Sequence, residues 1–213
     1  PLGFILFARN IDNPGQVKQL VESLREMVGW QCPVLIDQEG GRVARLKPPH
    51  WPTFPAMKRF ADVANQDLKS ASEYSYLDGY LIGRELYQLG INVDCAPVAD
   101  LLFEGADDIV GDRSFGNNIN IVVELAQNFA KGLLDSGVLP IVKHIPGHGR
   151  ANADSHKDLP VIDTELNELE QTDFKVFKQL STIPWAMTAH ILYTALDKKL
   201  PVTLSKKAIS YIR

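Results

Sequence analysis

Three histidines, a lysine and an aspartate fall within fourteen positions in Lys143-His144-Ile145-Pro146-Gly147-His148-Gly149 and the following Asp154-Ser155-His156. A proline and two glycines break the backbone directly after an apolar run. Lys143 and His144 therefore sit at a strand end, and His148 and His156 in a long loop. Taken singly, each loop histidine reads as a surface or capping residue. Taken together they allow two chemistries. One is a metal site in which His144 and His148, four apart, are joined by an Asp154 oxygen, but that spacing needs a helix and Pro146-Gly147 interrupts one. The other is a general acid/base pair in which Asp154 orients His156 and raises its pKa toward neutrality, suited to giving a proton to a leaving oxygen and later taking one from water.

A second constellation is Asp37-Gln38-Glu39-Gly40-Gly41-Arg42-Val43-Ala44-Arg45. Asp37 ends an apolar run, and the glycines permit a tight turn that brings Arg42 or Arg45 back over it. The bland alternative is a surface ion pair of little energetic worth. A third group, Gly111-Asp112-Arg113-Ser114-Phe115, is a polar turn whose Arg113 is either solvated or aimed inward. One carboxylate among cations and hydroxyl donors suits a carbohydrate, whose vicinal hydroxyls donate and accept in fixed directions.

Elements that position these residues are legible as an alternation of short apolar runs and longer amphipathic ones, the pattern of β/α units around a mainly parallel sheet. Strands are expected at Gly3 to Ala8, Pro33 to Asp37, Ile91 to Pro97, Pro140 to His144 and Trp185 to His190, buried on both faces. Helices are expected at Pro14 to Val28, Ser70 to Leu89, Ile121 to Asp135 and Glu165 to Leu180, with another opening at Ser205. Strand after strand ends in a polar residue: Asn10, Asp37, Asp100, Lys143 with His144, and His190. Such a ring favours a closed (β/α)₈ barrel over a doubly wound sheet, which gathers its site at one crevice.

With 213 residues, 45% hydrophobic and 23% charged, the chain has the composition of a globular domain with a sizeable core. A formal charge of -4 leaves no basic excess for nucleic acid or an anionic membrane. No run is long and apolar enough to span a bilayer. Cys32 and Cys95, in apolar strand-like runs, read as buried thiols of a cytoplasmic protein. The opening on a strand-like run suggests a truncated N-terminus.

Asp37 to Val43, Ala96-Pro97-Val98-Ala99-Asp100, Gly111 to Phe115, Lys143 to Gly149, Asp154-Ser155-His156 and Met187-Thr188-Ala189-His190 resemble, in order and approximate spacing, the NagZ-type β-N-acetylhexosaminidases of glycoside hydrolase family 3. The resemblance runs over essentially the whole chain. It implies an α/β TIM (β/α)₈ barrel, here a single catalytic domain over residues 1–213, truncated at both ends and holding about strands 2 to 6. It implies removal of terminal β-linked N-acetylglucosamine, from anhydro-muropeptides in cytoplasmic peptidoglycan recycling. Asp37, Arg45, Arg113, Lys143 and His144 would hold the sugar, and His156 would be the acid/base with Asp154 as its partner. The nucleophilic aspartate would lie beyond Arg213, and no cofactor or metal is implied. Isoleucine stands at position 145 where the family usually has phenylalanine. An incomplete barrel is expected to expose apolar edges and, as residues 1–213 alone, to be aggregated or molten. The alternative reading is a catalytically incomplete fragment that binds sugar or a partner.

Overall fold

A computed structural model of the chain describes residues 1–103, 105, 110–151 and 159–213. The chain opens with strand β1 (Phe4–Leu6) and helix α1 (Pro14–Val28), then β2 (Val34–Ile36) and a hairpin of β3 (Gln38–Gly40) and β4 (Val43–Ala44). Helices α2 (Met57–Ala64) and α3 (Leu68–Gln88) lead to β5 (Val93–Asp94), α4 (Ile119–Asp135) and β6 (Leu139–Ile145). There follow β7 (Val161–Ile162), α5 (Leu166–Gln171), α6 (Asp173–Gln179), β8 (Trp185–Thr188), β9 (Leu192–Tyr193) and α7 (Lys206–Ile212). Helix α1 begins and ends where its sequence says. Asn13 accepts a hydrogen bond from the Gln16 amide at 3.0 Å, Pro14 occupies the first turn, and Gly29 at φ 75° closes the helix in the left-handed region.

The main sheet is five-stranded and parallel, in the order β1-β2-β5-β6-β8. Spatial order follows chain order without reversal, so every crossover helix steps the chain to the same side. A doubly wound sheet reverses at its switch point, whereas a barrel does not. The fold is of the TIM-barrel type, present as an arc of consecutive β/α units. The core is packed between sheet and helices by residues such as Val34, Ile36, Ile82, Leu86, Leu125 and Phe129, all fully buried.

Several expectations need correction. The edge strands are not buried on both faces: Ile5 on β1 is 39% exposed and Trp185 on β8 is 42% exposed. The strand expected over Ile91 to Pro97 pairs regularly only at Val93–Asp94, although its continuation still lies along β6 through a bridge between Val98 and Lys143. The helix expected over Glu165 to Leu180 breaks at Thr172, whose backbone at φ -123°, ψ -98° is not helical. Helix α2 and the parallel β7–β9 pair had no sequence signal strong enough to place them, whereas the tight turn expected at Gly40-Gly41 is present as the β3–β4 hairpin.

Helices α3 and α4 pack so closely that a Cβ on Gly132 would sit 2.1 Å from the Tyr76 carbonyl oxygen. Asp78 of α3 is 7% exposed, and its Oδ2 has no hydrogen-bond partner. Burial pushes its carboxyl up to about 8. In the unfolded chain an aspartate releases its proton near pH 4. Between those values the folded state holds a proton that the unfolded state has lost, so Asp78 removes stability as pH rises through that window, by at most about 1.4 kcal/mol per pH unit. Asp78→Asn is expected to raise the urea midpoint at pH 8 while changing it little at pH 4. Comparison with the parent at each pH isolates this group from the buried His148, whose depressed pKa acts with the opposite sign. An equal shift at both values would contradict the assignment.

Candidate active site

The polar residues at the carboxyl ends of β2, β5 and β6 converge. Asp37, directly after β2, accepts from Arg45 Nη2 on Oδ2 and from Lys143 Nζ on Oδ1, both at 3.0 Å. Arg45 comes back over Asp37 because β3 and β4 form a hairpin in which Gly40, the last residue of β3, and Gly41 in the turn have φ of 87° and 55°. Arg42 does not join them, but pairs with Asp112 at 2.8 Å with both side chains 43% exposed. The Gln38 side chain is a positioning element that sequence reasoning missed: its Oε1 accepts from the amides of Arg45 and Leu46 at 2.9 and 3.0 Å, fixing the segment that carries Arg45.

Glu39 was also missed as a site residue, and it is the hub of the network. Its carboxylate receives Arg113 in bidentate fashion, Nε to Oε2 at 2.7 Å and Nη2 to Oε1 at 2.8 Å, and it also pairs with Lys143. Arg113 is therefore aimed inward, and the pair is buried rather than a surface bridge. Three cations face the two carboxylates Asp37 and Glu39. Burial alone would raise both acids, but Lys143 with Arg45 on one, and Lys143 with Arg113 on the other, hold each below its ordinary range. Burial alone would lower Lys143, and Glu39 and Asp37 reverse that. Asp94 lies behind them, where burial raises its carboxyl well above normal even though Oδ1 accepts the Gln38 amide at 3.0 Å.

His144 is held by Asp100, a fully buried carboxylate brought alongside by the backbone bonds Ala99 N to Lys143 O and Lys143 N to Pro97 O. Asp100 Oδ2 lies 2.6 Å from His144 Nδ1, and Oδ1 accepts the backbone amides of His144 and His148 at 3.2 and 2.7 Å. A carboxylate acceptor calls for a ring proton on His144 Nδ1. Burial would raise Asp100, and His144 with His148 holds it low. His148 is itself buried, its ring 5.3 Å from that of His144.

Among the sequence-derived residues, Asp37, Arg45, Arg113, Lys143 and His144 thus come together, joined by Glu39, Gln38 and Asp100. Asn10 instead accepts the Phe7 amide, and His190 is exposed after β8. Asp154 and His156 lie outside the described residues. Cys32 and Cys95 are free and buried, as expected.

The family model for the glycosyl hydrolase family 3 N-terminal domain matches residues 2–212. The chain belongs to glycosyl hydrolase family 3. Among curated relatives it is 36% identical over 205 residues to a beta-hexosaminidase of Alkalilimnicola ehrlichii, covering 95% of this chain and 58% of that protein. A beta-hexosaminidase of Bordetella avium is 32% identical over 212 residues, covering 99% of this chain and 60% of the relative. Among solved structures, native NagZ from Neisseria gonorrhoeae superposes with a TM-score of 0.90 at 34% identity, over 97% of this chain and 60% of that one. A family 3 beta-N-acetylglucosaminidase from Paenibacillus sp. str. FPU-7 superposes with a TM-score of 0.88 at 33% identity, over 97% of this chain and 39% of that one. This family 3 chain therefore spans about three fifths of the length of the curated relatives it matches.

Proposed function

We propose that this family 3 chain is the sugar-binding part of a β-N-acetylhexosaminidase that releases terminal, non-reducing β-linked N-acetylglucosamine. The observation that carries the reading is the Asp37 carboxylate, held open to the site by two cations. Each of its oxygens has accepted one hydrogen bond and keeps a lone pair for a sugar hydroxyl, with the Arg45 guanidinium as a neighbouring directional partner. The relatives named beta-hexosaminidase, 31–36% identical, support the choice of sugar. The substrate we propose is an N-acetylglucosaminyl muropeptide or chitooligosaccharide, handled in the cytoplasm during peptidoglycan recycling. Among the described residues no helix is long and apolar enough to cross a membrane.

The mechanism we propose is retaining. His156, supported by the Asp154 carboxylate, protonates the glycosidic oxygen; an aspartate of the parent protein beyond Arg213 takes the anomeric carbon; and His156 then activates water. In the full-length protein His156→Ala is expected to slow cleavage of chitobiose, whose N-acetylglucosamine aglycone is a poor leaving group, by about 10²- to 10⁴-fold. A 2,4-dinitrophenyl glycoside, whose 2,4-dinitrophenolate departs without an acid, should be slowed far less in glycosylation and should show a burst as deglycosylation lags. Equal slowing of both substrates with no burst would indicate lost binding or folding and remove His156 from proton transfer.

A further inference from the structure

The loop leaving β6 is fixed at four points before it enters residues 152–158. The His148 amide is on Asp100, and the Gly147 carbonyl accepts the Tyr193 hydroxyl at 2.9 Å. Gly149 packs against backbone so tightly that a Cβ there would lie 1.6 Å from the Leu101 carbonyl oxygen. The fourth point is Arg150, and it uses its whole guanidinium. Nε donates to Asp173 Oδ2 at 2.7 Å, Nη1 pairs with Glu168 Oε1 at 2.8 Å, and Nη2 donates to Thr172 Oγ1 at 3.1 Å. Its Cζ lies 4.1 Å from the centroid of the Phe103 ring.

This one side chain ties together the exit of β6, the α5–α6 junction and the loop after β5. The break at Thr172 acquires a purpose here, since it presents Thr172 and Asp173 to the fork. Asp173 is fully buried and Arg150 only 17% exposed, so the Arg150–Asp173 leg is desolvated, whereas Glu168, 57% exposed, completes the clamp from the surface. None of its partners belongs to the Asp37–Glu39–Lys143 network. At the far side of residues 152–158 the chain is fixed again, with the Pro160 carbonyl accepting the Leu192 amide at 3.0 Å and β7 paired with β9.

We propose that Arg150 is a positioning residue for the acid/base: it anchors the stem four residues before Asp154 and six before His156, and so sets where proton delivery occurs. This rests on the reading of His156 given above. Misplacing a catalytic group by about 1 Å can cost on the order of 10²-fold.

The test uses the full-length protein, with kcat and KM measured across pH for chitobiose and for the 2,4-dinitrophenyl glycoside. Arg150→Ala should lower kcat on chitobiose by roughly 10- to 100-fold with KM changed less than about 3-fold, and should hardly slow glycosylation by the activated substrate. Phe103→Leu, which removes the stacking and leaves the ion pairs, should show a weaker form of the same pattern. Arg150→Lys, which keeps the charge without the fork, should recover part of the loss. If Arg150→Ala does not fold, Arg150→Lys carries the test with the same two outcomes. Equal slowing on both substrates, a change in KM alone, or no change would overturn the proposal. His156→Ala run alongside separates the two ideas. A leaving-group effect there beside none in the Arg150 variants overturns the clamp alone, and none in either overturns both.

Discussion

Lys143→Met is expected to cost about 3–5 kcal/mol of stability, because it strips the charge from between two carboxylates and leaves them partly uncompensated. Lys143 is 2% exposed, bonded to Asp37 and Glu39, and Glu39 is 1% exposed. Methionine fills most of the space, so the loss is electrostatic rather than a cavity. Glu39 would keep its bidentate Arg113, whereas Asp37 would keep only Arg45. On the proposed function the same change also removes a donor from the sugar site, so activity should fall together with stability. Urea unfolding of the full-length protein measures the first effect. A Glu39→Gln, Lys143→Met double variant should lose clearly less than the two single losses added, since the buried charge and its partner disappear together. Strict additivity would mean that the two groups do not interact as their geometry requires.

Asp37→Ala in the full-length protein is expected to lower kcat/KM by roughly 30- to 1000-fold, equivalent to about 2–4 kcal/mol of transition-state stabilisation. Its side chain is 16% exposed, so unlike Glu39 it faces the site while remaining tied to Arg45 and Lys143. Removing it deletes the proposed acceptor for sugar hydroxyls and leaves Arg45 and Lys143 without that partner. Asp37→Asn should lose less, because the amide oxygen still accepts one bond. Its lowered pKa places the protonation that would mimic this variant below the ordinary aspartate range, so binding should be insensitive to pH through this group near neutrality. A near-normal kcat/KM for Asp37→Ala would remove the residue from the site.

Several features of this molecule were written locally and were legible in the sequence. Helix α1 carries its own cap, its own apolar spacing and its own glycine stop, so its bounds follow from residues 13–29 alone. The five parallel strands stand out because buried strands are continuous apolar runs, and their terminal polar residues marked Asp37, Lys143 and His144 before any coordinates. Their resemblance to family 3 gave the fold, and the match over residues 2–212 agrees with it.

What sequence could not supply were choices that depend on partners distant along the chain. Whether Arg42 or Arg45 faces Asp37, and whether Arg113 is solvated or buried, depends on where Glu39 and Lys143 arrive, more than a hundred residues apart. Glu39 and Gln38 look like ordinary polar turn residues in one dimension, and Asp100 is marked there only as a polar residue past a strand end. Only the packed sheet turns them into a hub, a staple for Arg45 and an anchor for the His144 ring. Thr172 interrupts a helix that local propensity favours, in a segment whose side chains meet Arg150 from another element. Propensity and periodicity sum over neighbours in sequence, whereas desolvated charges must satisfy one another in space. The sequence by itself therefore determined the elements and the chemical types at their ends, and the tertiary structure decided which charge answers which.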